Sequence, residues 1–270
     1  MDIPYLFEDS SVSKVDGTWY YSYCSNWDVG NKTINGVNFG NADILYMKST
    51  NPLEWNSSKL AGNVFKNTGS QGIDKGGNNH HSIVYFKGKY YVAYHSRQQA
   101  IRMVNTDGLK IYNNKDQLTA DGNYRSTQIN EASFSNGKFS CSGDMKGTSQ
   151  IEALNPYTKV QAETMSNQSR GVSVTGLRDT KVTGGKGDWI KVTGADLSKG
   201  VNKITINGSS SKNAAVKVCV GSPTGKVLGY VQLESNAKDI TVPAVNSATG
   251  SNSIYFVFSD DVQIDYWSLS

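Results

Sequence analysis

"KVDGTWYYSYCS", residues 14–25, and "YFKGKYYVAYHSR", residues 85–97, are two copies of one pattern. Each has a turn glycine (Gly17, Gly88), then paired aromatics, then Tyr and Ser in step: Tyr23 and Ser25 in the first copy, Tyr94 and Ser96 in the second. A Gly-containing turn beside an aromatic run reads as a β-hairpin. Each copy is followed by a further strand signal, "ADILYMKSTNPLEWN" at 42–56 and "QAIRMVNTDGLKIYNN" at 99–114. A fainter third copy, "ASFSNGKFSCS", begins at Ala132. Repeated hairpins at long spacing point to the blades of a propeller, each a small antiparallel sheet.

The rest of the composition agrees with an all-β chain. Among 270 residues there are 27 Gly, 5 Pro and 15 Tyr, and 37% of residues are hydrophobic, a balance suited to many short strands and turns. Near residue 150 the texture changes. "IEALNPYTKVQAETMSNQSRG" carries the turn former Asn155-Pro156, and beyond it aromatics thin while Val, Ile, Thr and Ser alternate. "VNKITING", "NAAVKVCVG", "KVLGYVQL" and "NSIYFVF" are period-two strands separated by polar turns, which suits one β-sandwich. The expected organisation is a propeller part over 1–153 and a jelly-roll sandwich over 154–270.

Lys and Arg outnumber Asp and Glu by 27 to 23, a formal charge of +4, with no basic run dense enough for a nucleic-acid stripe. No apolar stretch is long enough to span a membrane as a helix. Cys24, Cys141 and Cys219 lie far apart without metal-type spacing, and an odd count forbids a complete disulfide framework. "MDIPYLFEDS" has neither the basic start nor the apolar core of a signal peptide, as expected of a mature or truncated secreted protein.

"FEDSSVSKVDGTWYYSY" with "NNHHSIVYFKGKYYVAYHSR" resembles the later blades of a glycoside hydrolase family 43 domain, the five-bladed propeller of arabinofuranosidases, xylosidases and arabinanases. "ALNPYTKVQAETMSNQSRGV", "GKGDWIKV" and "VQIDYW" resemble a family 6 carbohydrate-binding module. In the hydrolase family an E-x-S segment before a K-x-x-G-x-Y-Y hairpin carries the general acid, and Glu8, Ser10, Lys14, Gly17, Tyr20 and Tyr21 fill those places. The implied chemistry is inverting hydrolysis. A protonated carboxyl protonates the leaving oxygen while a carboxylate roughly 6.5–9.5 Å away activates water. Asp9 is expected to point to the other face of its strand, by simple alternation.

The resemblance implies further residues. His80 of "NNHHSIVYF" corresponds to a histidine at the bottom of the propeller's central cavity, near a calcium with mostly water ligands, although Asn79 stands where the family has Gly. Arg125 occupies the place of an arginine that faces the acid carboxyl. Trp27, in a loop after the acid's hairpin, is a candidate for stacking on a sugar. The family's base aspartate and the aspartate that tunes the acid belong to earlier blades. The chain therefore reads as a carboxyl-terminal part whose 270 residues alone are expected to be inactive, with open blade edges that invite self-association.

In the module, Gln161, Glu163 and Asp265 are implied as ligands of a structural Ca2+ tying the first strand to the last, oxygen donors that suit this ion. The loop-end cleft looks stripped. Its first aromatic is replaced near Thr183, the Trp loop is reduced to "ESNAKDI", and Gln263 stands at the amide position, while Trp189 reads as core. The expectation is an extracellular hydrolase that removes arabinofuranosyl, or else xylosyl, groups from arabinoxylan. The alternative is a noncatalytic carbohydrate-binding or scaffold protein.

Overall fold

A computed structural model describes residues 2–74, 76–77, 80–98, 125–176 and 178–270. The chain divides into two compact units, residues 1–149 and 150–270. The second strand signal of the sequence repeat, 99–114, lies outside the described residues, as does Asn79.

The first unit begins with strands β1 (Leu6–Val15) and β2 (Thr18–Ser25), followed by a small hairpin, β3 (Lys32–Ile34) and β4 (Val37–Phe39), then β5 (Ile44–Ser49) and β6 (Leu60–Phe65). A second set follows: β7 (His81–Phe86), β8 (Lys89–Ser96), β9 (Ser126–Ser135) and β10 (Lys138–Ser140). They form two four-stranded antiparallel sheets, ordered β1-β2-β5-β6 and β10-β9-β8-β7. Both have the make-up of propeller blades. The turn glycines explain themselves: Asp16-Gly17 (φ 47° and 80°) and Lys87-Gly88 (φ 50° and 81°) put two successive residues at positive φ, the mirror-image turn whose twist matches the strands. The third copy of the repeat does not open a blade of its own. Its hairpin, turning at Asn136-Gly137, supplies β9 and β10, the outer half of the second sheet.

The two sheets share an aromatic core. Tyr20 of β2 meets Phe134 at 5.7 Å and Phe139 at 5.1 Å, Tyr46 meets Phe139 at 5.9 Å, and Phe65 packs on Tyr94 at 4.4 Å. A second cluster under the small hairpin collects Tyr23, Val29, Phe39, Leu45, Met47, Trp55 and Leu60. Cys24 and Cys141 are buried in this unit and Cys219 in the other, and none of the three forms a disulfide. Burial pushes the Cys141 thiol up to about 12, so it packs as a small hydrophobe.

The second unit is a two-sheet sandwich. Its strands are β11 (Val160–Gln161), β12 (Asn167–Gln168), β13 (Ser173–Thr175), β14 (Lys181–Gly184), β15 (Trp189–Asp196), β16 (Lys203–Ser209), β17 (Ala215–Val220), β18 (Lys226–Gln232), β19 (Lys238–Pro243), β20 (Ser251–Phe258) and β21 (Val262–Leu269). One sheet runs β13-β14-β21-β16-β19 with β11 also on β21, the other β12-β15-β20-β17-β18. Alternation buries Ile204, Ile206, Ile264 and Trp267 from the first sheet against Ile190, Val218, Ile254 and Phe256 from the second. Leu154 already belongs here, since its N–H donates to Gly194 O and its carbonyl accepts from Asp196 N.

Candidate active site and module sites

Strand β1 is not regular where it matters. Glu8 pairs with Cys24, but the next aligned pair is Ser11 with Ser22, so β1 bulges between them, and Asp9 sits at φ 70°. A bulge breaks alternation and re-aims side chains. As a result Asp9 does not point away from Glu8, as alternation predicts. Glu8 reaches His80, just ahead of β7, and Asp9 reaches both His80 and His81, the first residue of β7. Glu8 Oε1 is 2.9 Å from His80 Nε2, Asp9 Oδ1 is 3.7 Å from His80 Nδ1, and Asp9 Oδ2 is 3.5 Å from His81 Nδ1.

The two histidines differ in setting. His80 and Glu8 are partly open to solvent, with side chains 43% and 35% exposed, as a proton donor to a substrate must be. The His81 side chain is fully buried, with Nε2 at 2.8 Å from Ser22 Oγ, and its backbone N–H donates to Asp9 Oδ2. For Asp9, burial acts to raise the pKa, but the hydrogen bonds from His81 and the charges of both histidines outweigh it and hold the carboxyl below its usual range. Behind His80 lies His95: the His80 N–H donates to His95 Nδ1 at 3.2 Å, and the rings stand edge to face at 5.4 Å. Burial first, then the charges of Arg125, His80 and Arg97, push His95 down to about 4. Arg125, exposed just ahead of β9, thus acts on this cluster through His95. His81, His95 and Ser22 do not stand out in the sequence; the "HH" pair is the signal for them, and only its first member matches the family pattern.

Trp27 is half exposed in the loop after β2, with its ring edge-on to Phe7 at 5.6 Å. Phe7 is the residue before Glu8 in β1. Trp55, in contrast, is core.

In the sandwich, Gln161 pairs with Tyr266, the neighbour of Asp265, and Glu163 lies in the short turn that follows β11 and packs on β21. Glu163 Oε1 accepts from Thr180 Oγ1 at 2.5 Å, but Oε2 is buried with no hydrogen-bond partner. Among the described residues no group of three or more His, Cys, Asp or Glu side chains is arranged around a metal. A site completed by an amide oxygen such as that of Gln161 is a different donor set, and the orphaned carboxylate oxygen fits a cation there. Thr183 and Gln263 are cross-strand partners on β14 and β21, with no ring on either to stack on. Trp189, expected in the core, is not: Ile190 and Val192 take the inward positions of β15, and Trp189 lies on the opposite face against Tyr255 at 5.4 Å.

Residues 161–270 match the model of the carbohydrate binding module, family 6. The whole chain aligns with an arabinoxylan arabinofuranohydrolase from Paenibacillus polymyxa at 31% identity, covering 42% of that protein. It also aligns with one from Bacillus subtilis (strain 168) at 29%, covering 52%. A crystal structure of a glycoside hydrolase family 43 arabinoxylan arabinofuranohydrolase from Bacillus subtilis, in complex with cellotetraose, superposes with a TM-score of 0.81 over 100% of this chain and 55% of that one. Over its whole length the chain is similar to family 43 arabinoxylan arabinofuranohydrolases. It spans about half the length of those relatives or less. Within that span the two sheets answer to the family 43 propeller, and the sandwich to the family 6 module.

Proposed function

We propose that this chain contributes the general acid and the binding module of an inverting, secreted hydrolase that removes arabinofuranosyl groups, with xylosyl groups the lesser case, from arabinoxylan. Glu8 is the acid. The observation that supports this best is the pairing of Glu8 with His80 across two blades, next to a second carboxylate, Asp9, that is held ionised and so keeps the proton-donor role from being shared. Inversion also needs a base on the opposite face of the sugar, which Glu8 cannot serve in the same displacement. The resemblance assigns that base to earlier blades. In the module, Gln161, Glu163 and Asp265 hold a structural Ca2+.

The test uses the chain both as its 270 residues and joined to the amino-terminal part of the Bacillus subtilis arabinoxylan arabinofuranohydrolase that it does not cover. Arabinose release from wheat arabinoxylan is expected from the longer polypeptide, and Glu8→Gln should lower it at least a hundredfold, the usual worth of a general acid. Undiminished release in Glu8→Gln would sink the assignment.

A further inference from the structure

The geometry points to His95 as a positioning residue for Glu8: it clasps the backbone of His80, the residue whose ring meets the Glu8 carboxyl. Strands β7 and β8 pair antiparallel with His81 opposite Tyr94, so His80 and His95 face each other one step beyond that pair. In such a ladder, facing residues alternate between exchanging both backbone bonds and exchanging none. His80 and His95 make one of the two, the His95 N–H donating to His80 O at 3.2 Å. The returning bond is different. The His80 N–H donates not to a carbonyl but to Nδ1 of the His95 ring, also at 3.2 Å. One residue thus holds both polar groups of the His80 main chain, the carbonyl through its backbone and the N–H through its side chain.

The effect reaches the acid. A backbone N–H in a folded chain needs an acceptor, and here the acceptor is a ring that also backs the His80 side chain, edge to face at 5.4 Å. The His80 ring is turned to β1, with Nε2 at 2.9 Å from Glu8 Oε1. His81 is held separately, its N–H donating to Asp9 Oδ2. Asp9 therefore fixes the first residue of β7, and His95 fixes the residue before it.

The clasp requires one tautomer. A neutral imidazole accepts at one nitrogen and donates at the other, so an acceptor at Nδ1 places the His95 proton on Nε2. Phenylalanine at this position would keep a packed ring and lose the lone pair. Asparagine would keep an acceptor near the place of Nδ1 and lose the ring. The inference rests on the reading of Glu8 as the acid, but the clasp itself is measurable without turnover.

The first experiment is NMR of the 270-residue chain, whose histidines number three. Wild type should show a protected His80 amide and a nuclear Overhauser contact between the His80 ring and the Glu8 methylenes. In His95→Phe the amide should exchange about tenfold faster, the worth of one hydrogen bond, and the contact should fade. His95→Asn should keep both. The second experiment is arabinose release by the chain joined to the amino-terminal part of the Bacillus subtilis arabinoxylan arabinofuranohydrolase. His95→Phe is expected to lower kcat about tenfold with KM within about twofold, as a misplaced acid does, and His95→Asn to recover most of the loss. Should His95→Phe not fold, His95→Gln replaces it, because its amide reaches the place of Nε2 rather than Nδ1. An undisturbed amide and Glu8 contact in His95→Phe, equal losses in the Phe and Asn variants, or a kcat that His95→Phe leaves unchanged overturns the proposal. A joined wild-type polypeptide that releases no arabinose counts against the hydrolase reading instead, and the spectra then decide whether His95 positions Glu8.

Discussion

Glu8 Oε1 lies 2.9 Å from His80 Nε2, so the edge strand of one blade meets, through its carboxylate, the residue just ahead of the edge strand of the next. Both partners are partly solvated, so the Coulombic worth of the pair is modest and salt-sensitive. Its value is geometric. It fixes where the Glu8 carboxyl stands relative to the space between the blades, and the fixed geometry depends on the bulge that follows Glu8.

Asp9 holds that bulge, and its removal should be felt in stability. Asp9→Ala leaves the His81 N–H without its carboxylate acceptor and puts Ala at a left-handed φ, for an expected loss of about 2–3 kcal/mol. Asp9→Asn, which tolerates that φ and keeps an acceptor, should lose about 1 kcal/mol. The folded pKa of Asp9 is lowered, so its contribution is complete above the ordinary carboxylate range and fades as pH falls through the folded value. Urea denaturation of the first unit at pH 7 and pH 3 measures both effects; a variant as stable as wild type at pH 7 would contradict them.

His95 gives an opposite chemical group with the same pH direction. Its folded pKa, about 4, lies below the ordinary 6.5, so between these values the unfolded chain binds more protons and stability falls as pH falls. The full shift corresponds to roughly 3 kcal/mol, and partial exposure of the cluster reduces the expected loss to about 1–2 kcal/mol. An imidazole titration by NMR should show His95 neutral at pH 5, and His95→Gln should flatten stability between pH 4 and 6.5. A His95 midpoint near 6.5 would refute this.

The hairpins of both blades were legible because a Gly turn and an aromatic run are local features, and so were the sandwich strands, whose period-two pattern follows from burying one face. The place of Glu8 in the strand ahead of such a hairpin was legible in the same way. The approach of Asp9 to the histidines was not, because a bulge adds a residue without any mark in the hydrophobic pattern. Nor was the outward position of Trp189: a large aromatic in a strand suggests core, and only the buried neighbours Ile190 and Val192 show which face is which. The third repeat copy misled because its hairpin has the same turn chemistry as the first two while pairing with β8.

Calcium should stabilise the isolated segment 150–270. At a hundred times the dissociation constant the gain is about 2.7 kcal/mol. Glu163→Gln should remove most of that gain while costing nothing in chelator, where the buried Oε2 has no partner. Identical melting midpoints of the wild-type segment in calcium and in chelator would rule out the ion.

Xylan binding at the loop end of the module should be weak. Thr183 and Gln263 offer hydrogen bonds but no aromatic surface, and stacking would have supplied large contact area at little entropic cost. Isothermal titration of segment 150–270 with xylohexaose is expected to show at best millimolar affinity. Micromolar binding lost in Gln263→Ala would show that the cleft is intact.

The last prediction concerns the core that joins the blades. Gly62 of β6 lies opposite Tyr46 of β5, and a Cβ at Gly62 would stand 2.3 Å from Tyr46 Cε1. The ring cannot step aside freely: it is 1% exposed and meets Tyr20 and Phe139, each at 5.9 Å between ring centres. Gly62→Ala should therefore destabilise the first unit by about 1–3 kcal/mol through overpacking, with no help from backbone strain, since φ at Gly62 is not in the left-handed region. Gly17→Ala reverses the causes. Nothing lies within 4 Å of its Cβ, and the loss of about 1–2 kcal/mol comes from its φ of 80° alone. A double-mutant cycle separates them. Tyr46→Leu makes room beside Gly62, so Gly62→Ala should cost at least about 0.5 kcal/mol less in that background, as contacting sites couple, whereas Gly17→Ala should cost the same in both. If Gly62→Ala costs as much in the Tyr46→Leu background as in the wild type, the clash with the ring is not what the glycine avoids.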